Sequence, residues 1–273
     1  MKGVVFGKGY MGTRIAQAYG YTLPTMDVLD ASKVAAYLDE TKPAVVINAV
    51  GKTGRPNIDW CETHRPETLL SNVAAPIILA SLCAARGIHF VHLSSGCIYQ
   101  GDNHGNGYAE DDTPNHHNSF YSHTKILAED ALKGLPCLQV RIRMPIDDRP
   151  DPRNLIDKIK GYPKLVDAKN SMTVVPDLLQ ALQKLIEKKR TGIYNIVNPG
   201  LISPFEVMRL YKLTVDGSVK FDAISVAELD ELVTAKRSNC HLSTAKLAAE
   251  GIVMKDIRES VRSCLIEYGR NAR

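Results

Sequence analysis

Short apolar runs and longer mixed stretches alternate along the first two thirds of the chain. Gly3 to Phe6, Ala44 to Ala49, His89 to Leu93 and Leu138 to Ile142 are brief and apolar, the pattern of strands buried on both faces. Between them, Met11 to Tyr19, Ser32 to Glu40, Glu67 to Arg86 and Tyr121 to Leu132 read as helices. Strand and helix alternating in this way predict a parallel, doubly wound α/β sheet with ligands at the carboxyl ends of its strands. After Pro145 the texture changes. Asp147 to Pro152 is rich in proline and aspartate, and the helical stretches Val175 to Lys189, Pro204 to Tyr211 and Ala227 to Val233 have fewer strands among them. The expected division is a larger domain over 1–145 and a smaller C-terminal lobe over 146–273, from which some segments return to the first domain. Arg270 to Arg273 reads as a frayed end.

Composition narrows the function without naming it. The 44% hydrophobic and 23% charged residues are those of an ordinary globular protein. A net charge of +4, scattered along the chain, argues against a nucleic-acid partner and suits small anionic ligands such as nucleotides. The first residues lack the apolar length of a signal peptide, and no stretch stands out as a membrane span. A cytoplasmic protein without a membrane partner is expected. Cys61, Cys83, Cys97, Cys137, Cys240 and Cys264 lie far apart without CxxC spacing and read as reduced thiols.

The first candidate chemistry is Gly7-Lys8-Gly9-Tyr10-Met11-Gly12, a G-x-G-x-x-G directly after the first strand and opening a helix. Glycines allow a tight turn and close approach of backbone to a pyrophosphate, which the helix N-terminus stabilises. This context makes 1–145 a Rossmann-type dinucleotide-binding domain and 146–273 mainly a substrate-binding lobe. Asp27 stands about twenty residues on, where an acidic residue reads the ribose of NAD, but looks better placed near the adenine. Lys8 suits a 2′-phosphate, so NADPH is the expected cofactor and NADH the alternative.

The second is Tyr121-Ser122-His123-Thr124-Lys125, whose Y-x-x-x-K spacing puts phenol and ammonium one helical turn apart. A nearby ammonium favours phenolate and makes tyrosine a usable proton donor to a carbonyl oxygen. The same spacing also suits an exposed tyrosine and lysine. Two companions favour chemistry: Ser95, in His92-Leu93-Ser94-Ser95-Gly96-Cys97-Ile98-Tyr99 after a buried strand, and the turn Asn48-Ala49-Val50-Gly51, whose Asn48, Ala49 and Gly51 would border the cofactor.

These four signals together resemble the extended short-chain dehydrogenase/reductases over almost the whole chain. More narrowly, the chain is similar to the dTDP-4-dehydrorhamnose reductases and to the plant nucleotide-rhamnose synthase/epimerase-reductases. The strings that carry this are Thr53-Gly54-Arg55-Pro56-Asn57, Asp59-Trp60-Cys61-Glu62, Gly96-Cys97-Ile98, Arg141-Ile142-Arg143-Met144-Pro145-Ile146, Pro152-Arg153-Asn154, Asn170-Ser171-Met172-Thr173 and Arg237-Ser238-Asn239. The glycine turn is one residue shorter than the family's usual G-x-x-G-x-x-G.

The resemblance implies Ser95, Tyr121 and Lys125 as the reductase residues, with Lys125 also holding the nicotinamide ribose. It implies Cys97 as a base, as in GDP-fucose synthase, and Lys158 of Asn154-Leu155-Ile156-Asp157-Lys158 as the acid partner. A small buried thiol and a solvated helix lysine are the plainer readings of these two. Thr53, Arg55, Asn57, Arg153, Asn154, Arg237 and Asn239 are candidates for the sugar and diphosphate. The implied activity is 3,5-epimerisation and 4-reduction of UDP-4-keto-6-deoxy-D-glucose to UDP-L-rhamnose. The alternatives are a monofunctional dTDP-4-dehydrorhamnose reductase and a non-catalytic subunit resembling the regulatory subunit of methionine adenosyltransferase. A homodimer through the Glu67 to Arg86 and Tyr121 to Leu132 regions is usual for the class. His116 and His117, in a polar loop, read as solvated rather than metal-binding, and no metal is expected.

Overall fold

The four apolar runs form strands where the sequence places them, each nearly fully buried. In the computed structural model, which describes residues 1–272, the first elements are β1 (Gly3–Phe6), α1 (Tyr10–Tyr19), α2 (Ala31–Thr41), β2 (Val45–Asn48), α3 (Asp59–Thr63) and α4 (Arg65–Leu69). A π-helical turn (Leu70–Ala74) leads into α5 (Ala75–Ala84), followed by β3 (His89–Ser95), α6 (Phe120–Ala131) and β4 (Cys137–Ile142). Then come α7 (Leu155–Ile159), β5 (Lys164–Val166), α8 (Val175–Glu187), β6 (Gly192–Asn195), α9 (Pro204–Thr214), β7 (Asp222–Ile224), α10 (Val226–Leu232), α11 (Ala245–Ala249) and α12 (Ile257–Asn271).

The main sheet has the order β1-β2-β3-β4-β6, with β1, β2 and β3 paired in parallel. On the outer side of β1, Thr22 forms a parallel bridge to Val4. The chain thus leaves β1 for one side and returns as β2 on the other, so the strand order reverses at the carboxyl end of β1. That crevice is where an open α/β sheet takes its ligand.

Two compact units make up the described residues. The first comprises Met1–Ile98, His116–Arg141 and Lys184–Tyr194, the second Tyr99–Asn115, Ile142–Gln183 and Asn195–Arg273. Residues 99–115 and 184–194 each lie on the other side of residue 145 from most of their unit. Residues 184–194 return to the first unit because β6 completes its sheet. Residues 99–115 belong to the second, where Gly101 and Tyr108 bridge Cys240 and Leu242. Each unit has its own core: Val4, Phe6, Val46, Leu79, Phe90 and Leu132 among others in the first, Ile146, Met172, Val207, Ile257 and Leu265 among others in the second. Each such side chain contributes about 1.5–3 kcal/mol on burial.

Three expectations are corrected. Of the expected frayed end, Arg270 and Asn271 instead close α12, which buries Ile257, Val261, Cys264, Leu265 and Tyr268, and the Asn271 amide donates to the Asp148 carbonyl at 2.8 Å; Arg273 lies outside the described residues. His116 is buried, 2% exposed, with its N–H on the Ile98 carbonyl at 3.0 Å, whereas His117 is exposed as expected. Arg65–Ala84 is one 20-residue helical run, long and apolar enough by length and composition to cross a membrane, which the sequence reading did not single out. Core helices meet the same criterion, and Ala75, Leu79, Ala80 and Cys83 of this run lie in the first unit's core. Its π turn has a local cause. Pro76 has no N–H to return to the Asn72 carbonyl, and Ala75 donates instead to Leu70, five residues back.

Candidate active site

The glycine turn joins β1 to α1 through tight backbone packing and leaves space at the start of the helix. Gly7 has φ 107°, and a Cβ there would lie 2.6 Å from the Ala49 carbonyl carbon; a Cβ on Gly12 would lie 1.9 Å from the Gly7 oxygen. These two glycines let the β1 turn, the N-A-x-G turn and α1 pack against one another. Gly9 differs. It caps α1 without a side-chain acceptor, no acidic residue occupies the first turn, and a Cβ there would meet no atom within 4 Å among the described residues. Open space before an uncapped helix N-terminus beginning at Tyr10 and Met11 fits a diphosphate. Lys8 reaches across to donate to the Thr25 hydroxyl, where the chain leaves the Thr22 bridge. An ammonium at that edge fits a phosphate on the adenosine ribose. Asp27 turns back to accept from the Leu29 N–H at 3.0 Å.

Asn48 is fully buried and its amide is engaged on both sides. Its Oδ1 accepts from the Val50 N–H at 2.9 Å, so Nδ2 faces the His92 Nδ1 at 3.0 Å. His92 Nδ1 therefore accepts, and its proton sits on Nε2. Burial, then the Lys125 charge, holds His92 well below the usual histidine pKa and keeps it neutral. A bordering cofactor would thus meet the backbone of Asn48-Ala49-Val50-Gly51 rather than the Asn48 side chain.

Gly51 brings this turn close to Asn72 and Lys125, since a Cβ on it would lie 3.3 Å from Asn72 Oδ1 and 3.7 Å from Lys125 Nζ. Asn72, in the π turn, accepts from the Lys52 N–H at 2.7 Å and donates to the Lys52 carbonyl at 3.1 Å and the Thr124 hydroxyl at 3.0 Å. It ties the β2 loop to the helix carrying Tyr121 and Lys125. Sequence reasoning missed Asn72; the one signal was Pro76 within an otherwise helical run.

Lys125 is 5% exposed, its Nζ lies 3.4 Å from the Leu93 carbonyl and 6.0 Å from the Tyr121 ring centre. Burial lowers its pKa to about 8, against the opposing influence of Glu129 and Cys97. Glu129, one turn on, is itself buried, bound by the Arg141 guanidinium through Nε at 3.1 Å to each carboxylate oxygen and Nη2 at 2.7 Å, with the Ser94 hydroxyl donating at 2.5 Å. The ammonium is thereby kept over a compensated charge rather than a bare one. Arg141 entered the sequence reading only within a longer string.

Ser95 ends β3, its Oγ accepting the Cys97 N–H at 3.1 Å. That leaves the serine O–H for a carbonyl oxygen. The Cys97 thiol is partly exposed, whereas the other five cysteines, also free thiols, are buried. The N-terminus of α6 is fixed by Ser119, which accepts from the Ser122 N–H, and by Glu62, which accepts from the Phe120 N–H at 2.7 Å. The Asp59-Trp60-Cys61-Glu62 string therefore anchors the helix of Tyr121. Thr53 and Arg55 are exposed on the preceding loop, and Asn57 Oδ1 accepts the Asp59 N–H at 2.8 Å at the start of α3.

In the second unit, Asn154 is fully buried. Its Oδ1 accepts from the Asp147 and Ile156 N–H groups, and its Nδ2 donates to the Asp147 and Arg149 carbonyls at 2.9 and 3.0 Å. Those contacts make it the anchor of the 147–149 loop, with no part of its amide left to read a ligand. Burial and the neighbouring Arg153 lower the pKa of Lys158, with Asp151 opposing. Arg237 donates to the Ala235 carbonyl at 2.7 Å. Asn239 accepts from Asn170 at 2.8 Å, while its Nδ2 is buried with no hydrogen-bond partner among the described residues, as in a group awaiting an acceptor. Arg143, 1% exposed, binds Asn170, Ser171 and Ser238, which explains why three of the unusual strings occur together. Among the described residues no group of three or more His, Cys, Asp or Glu could hold a metal ion.

The chain is 37% identical over 277 residues to a bifunctional dTDP-4-dehydrorhamnose 3,5-epimerase/dTDP-4-dehydrorhamnose reductase of Arabidopsis thaliana, covering 97% of this chain and 92% of that protein. It is 36% identical to a trifunctional UDP-glucose 4,6-dehydratase/UDP-4-keto-6-deoxy-D-glucose 3,5-epimerase/UDP-4-keto-L-rhamnose-reductase of the same plant, covering 98% of this chain but spanning only 42% of that longer protein. The crystal structure of the L780 UDP-rhamnose synthase from Acanthamoeba polyphaga mimivirus has a similar fold, with TM-score 0.92 and 29% identity over 98% of this chain and 99% of that one. The family model for the RmlD substrate binding domain matches residues 11–270, and the chain belongs to that family.

Proposed function

We propose that the protein is an NADPH-dependent 3,5-epimerase/4-reductase that converts UDP-4-keto-6-deoxy-D-glucose to UDP-L-rhamnose. The observation that carries this reading is the grouping at the end of β3: Ser95 and a partly exposed Cys97 share a hydrogen bond beside the helix that supplies Tyr121 and the buried Lys125. A reductase needs the serine, tyrosine and lysine. The thiol is the addition that epimerisation calls for.

In this reading the Cys97 thiolate takes a proton from C5, yields it to solvent, and then takes one from C3, while the acid partner regains its proton from solvent between the steps; both carbons are acidified by the C4 ketone, and each time the electron pair moves onto the C4 oxygen. Ser95 and Tyr121 donate hydrogen bonds to that oxygen as charge develops on it. The resemblance gives the return of a proton to each carbon to Lys158, whose lowered pKa makes it a better acid. NADPH held at the glycine turn would supply the hydride that reduces C4; Tyr121 would give its proton to the C4 oxygen, and Lys125 would stabilise the phenolate left behind. The relatives' activities support the substrate class, and Lys8 beside Thr25 supports the 2′-phosphate.

The test is incubation with UDP-4-keto-6-deoxyglucose in deuterated water, with and without NADPH, followed by NMR of the sugar protons. Deuterium at C3 and C5 together with NADPH-dependent rhamnose formation is the expected result. Turnover of pre-epimerised substrate alone would leave a 4-reductase, and NADPH binding without turnover of either would leave a non-catalytic protein.

A further inference from the structure

We propose that Ser122 is a positioning residue for Cys97, holding the Cys97 peptide so that its thiol stays beside Ser95 at the end of β3. The proposal rests on the reading of Cys97 as the base. Ser122 is 1% exposed, and its hydroxyl donates to the Cys97 carbonyl at 2.6 Å. The Ser119 hydroxyl donates to Ser122 Oγ at 2.8 Å, which directs the single Ser122 hydrogen towards Cys97. On its other side the Cys97 N–H is held by Ser95 Oγ. The residue is thus gripped at both backbone groups, once by the strand it leaves and once by α6.

The two grips differ in what they control. Ser95 is itself the last residue of β3, and Lys125 is held from the Leu93 carbonyl, so neither depends on Ser122. Cys97 lies beyond the strand, and the next fixed backbone point is Ile98, whose carbonyl accepts from His116. Loss of the Ser122 hydroxyl leaves the Cys97 carbonyl without this donor and frees the peptide to rotate, carrying the thiol with it. Proton abstraction requires reacting atoms about 3–3.5 Å apart, so a small displacement lowers exchange at C3 and C5 by about tenfold or more while 4-reduction changes by less than about twofold.

The experiment compares the full-length wild type with Ser122→Ala, Ser122→Thr and Cys97→Ala. Deuterium entry at C3 and C5 is read without NADPH, NADPH oxidation is read separately with pre-epimerised substrate, and thermal melting checks the fold. Selective loss of exchange in Ser122→Ala, restored by Ser122→Thr, is the expected result. Wild-type exchange in Ser122→Ala while Cys97→Ala has none overturns the role of Ser122 and leaves the base in place. Wild-type exchange in Cys97→Ala overturns the base assignment, and this proposal with it. Equal loss of both activities with a lowered melting temperature makes Ser122 a support of α6 alone, and overturns the proposal too.

Discussion

Titration of Lys125 is expected to set an alkaline limit on the proposed 4-reduction. Its enclosure lowers the pKa to about 8, so about nine tenths of the side chain is ammonium at pH 7 and about one tenth at pH 9. The lowered value means that the charge Tyr121 depends on is lost as pH rises through it, and kcat/KM for 4-reduction is expected to fall about tenfold per unit above pH 8. Glu129 opposes the shift, so Glu129→Gln moves the limit to lower pH. At an i,i+4 separation of roughly 6 Å and an effective dielectric constant of about 20, the lost charge is equivalent to about 3 kcal/mol, or up to about 2 pH units. Lys125→Arg removes the limb, because guanidinium stays charged throughout this range, although its fork does not reproduce the ammonium beside Leu93 and turnover falls. The assay is NADPH oxidation with pre-epimerised substrate between pH 6 and 10. A profile flat from pH 7 to beyond 9, or a limb that survives in Lys125→Arg, refutes the assignment.

The ion pair beneath Lys125 makes a stability prediction: Arg141→Met strands the buried Glu129 and should cost about 3–5 kcal/mol in urea denaturation, whereas the double replacement Glu129→Leu/Arg141→Met should recover most of the loss. The glycine turn separates folding from binding. Gly12→Ala should lower both the melting temperature and NADPH affinity, while Gly9→Ala should melt as wild type yet bind NADPH more weakly in a fluorescence titration. Lys8→Ala should weaken NADPH binding by more than it weakens NADH binding, by about tenfold for one lost charged contact; equal loss for the two would remove the 2′-phosphate from the account.

Local information was enough for the elements whose chemistry is local. The apolar runs at Gly3 to Phe6 and His89 to Leu93 are strands because their residues are buried whichever face they present, and the Y-x-x-x-K pair shares a helix face by helical periodicity alone. The glycine turn was legible for the same reason, since its backbone demands are met by glycine and by little else. Helix α12 was not, because its apolar positions are interleaved with charges and take on meaning only against Tyr211 and the second core.

Side-chain roles divided in the same way. Tyr121 and Lys125 could be named from spacing, Ser95 from its place after a buried strand and Cys97 only through the resemblance, but the sequence did not distinguish an asparagine that reads a ligand from one that anchors a loop. Tertiary structure decided that Asn154 and Asn48 are closed within their own hydrogen bonds and that Asn239 keeps a buried donor unmatched. It alone brought Asn72 to Lys52 and Thr124, Glu129 to Arg141, and Ser122 to Cys97. Those pairings join residues from 12 to 52 positions apart along the chain, and their energies depend on burial and distance, which no local pattern of residues encodes.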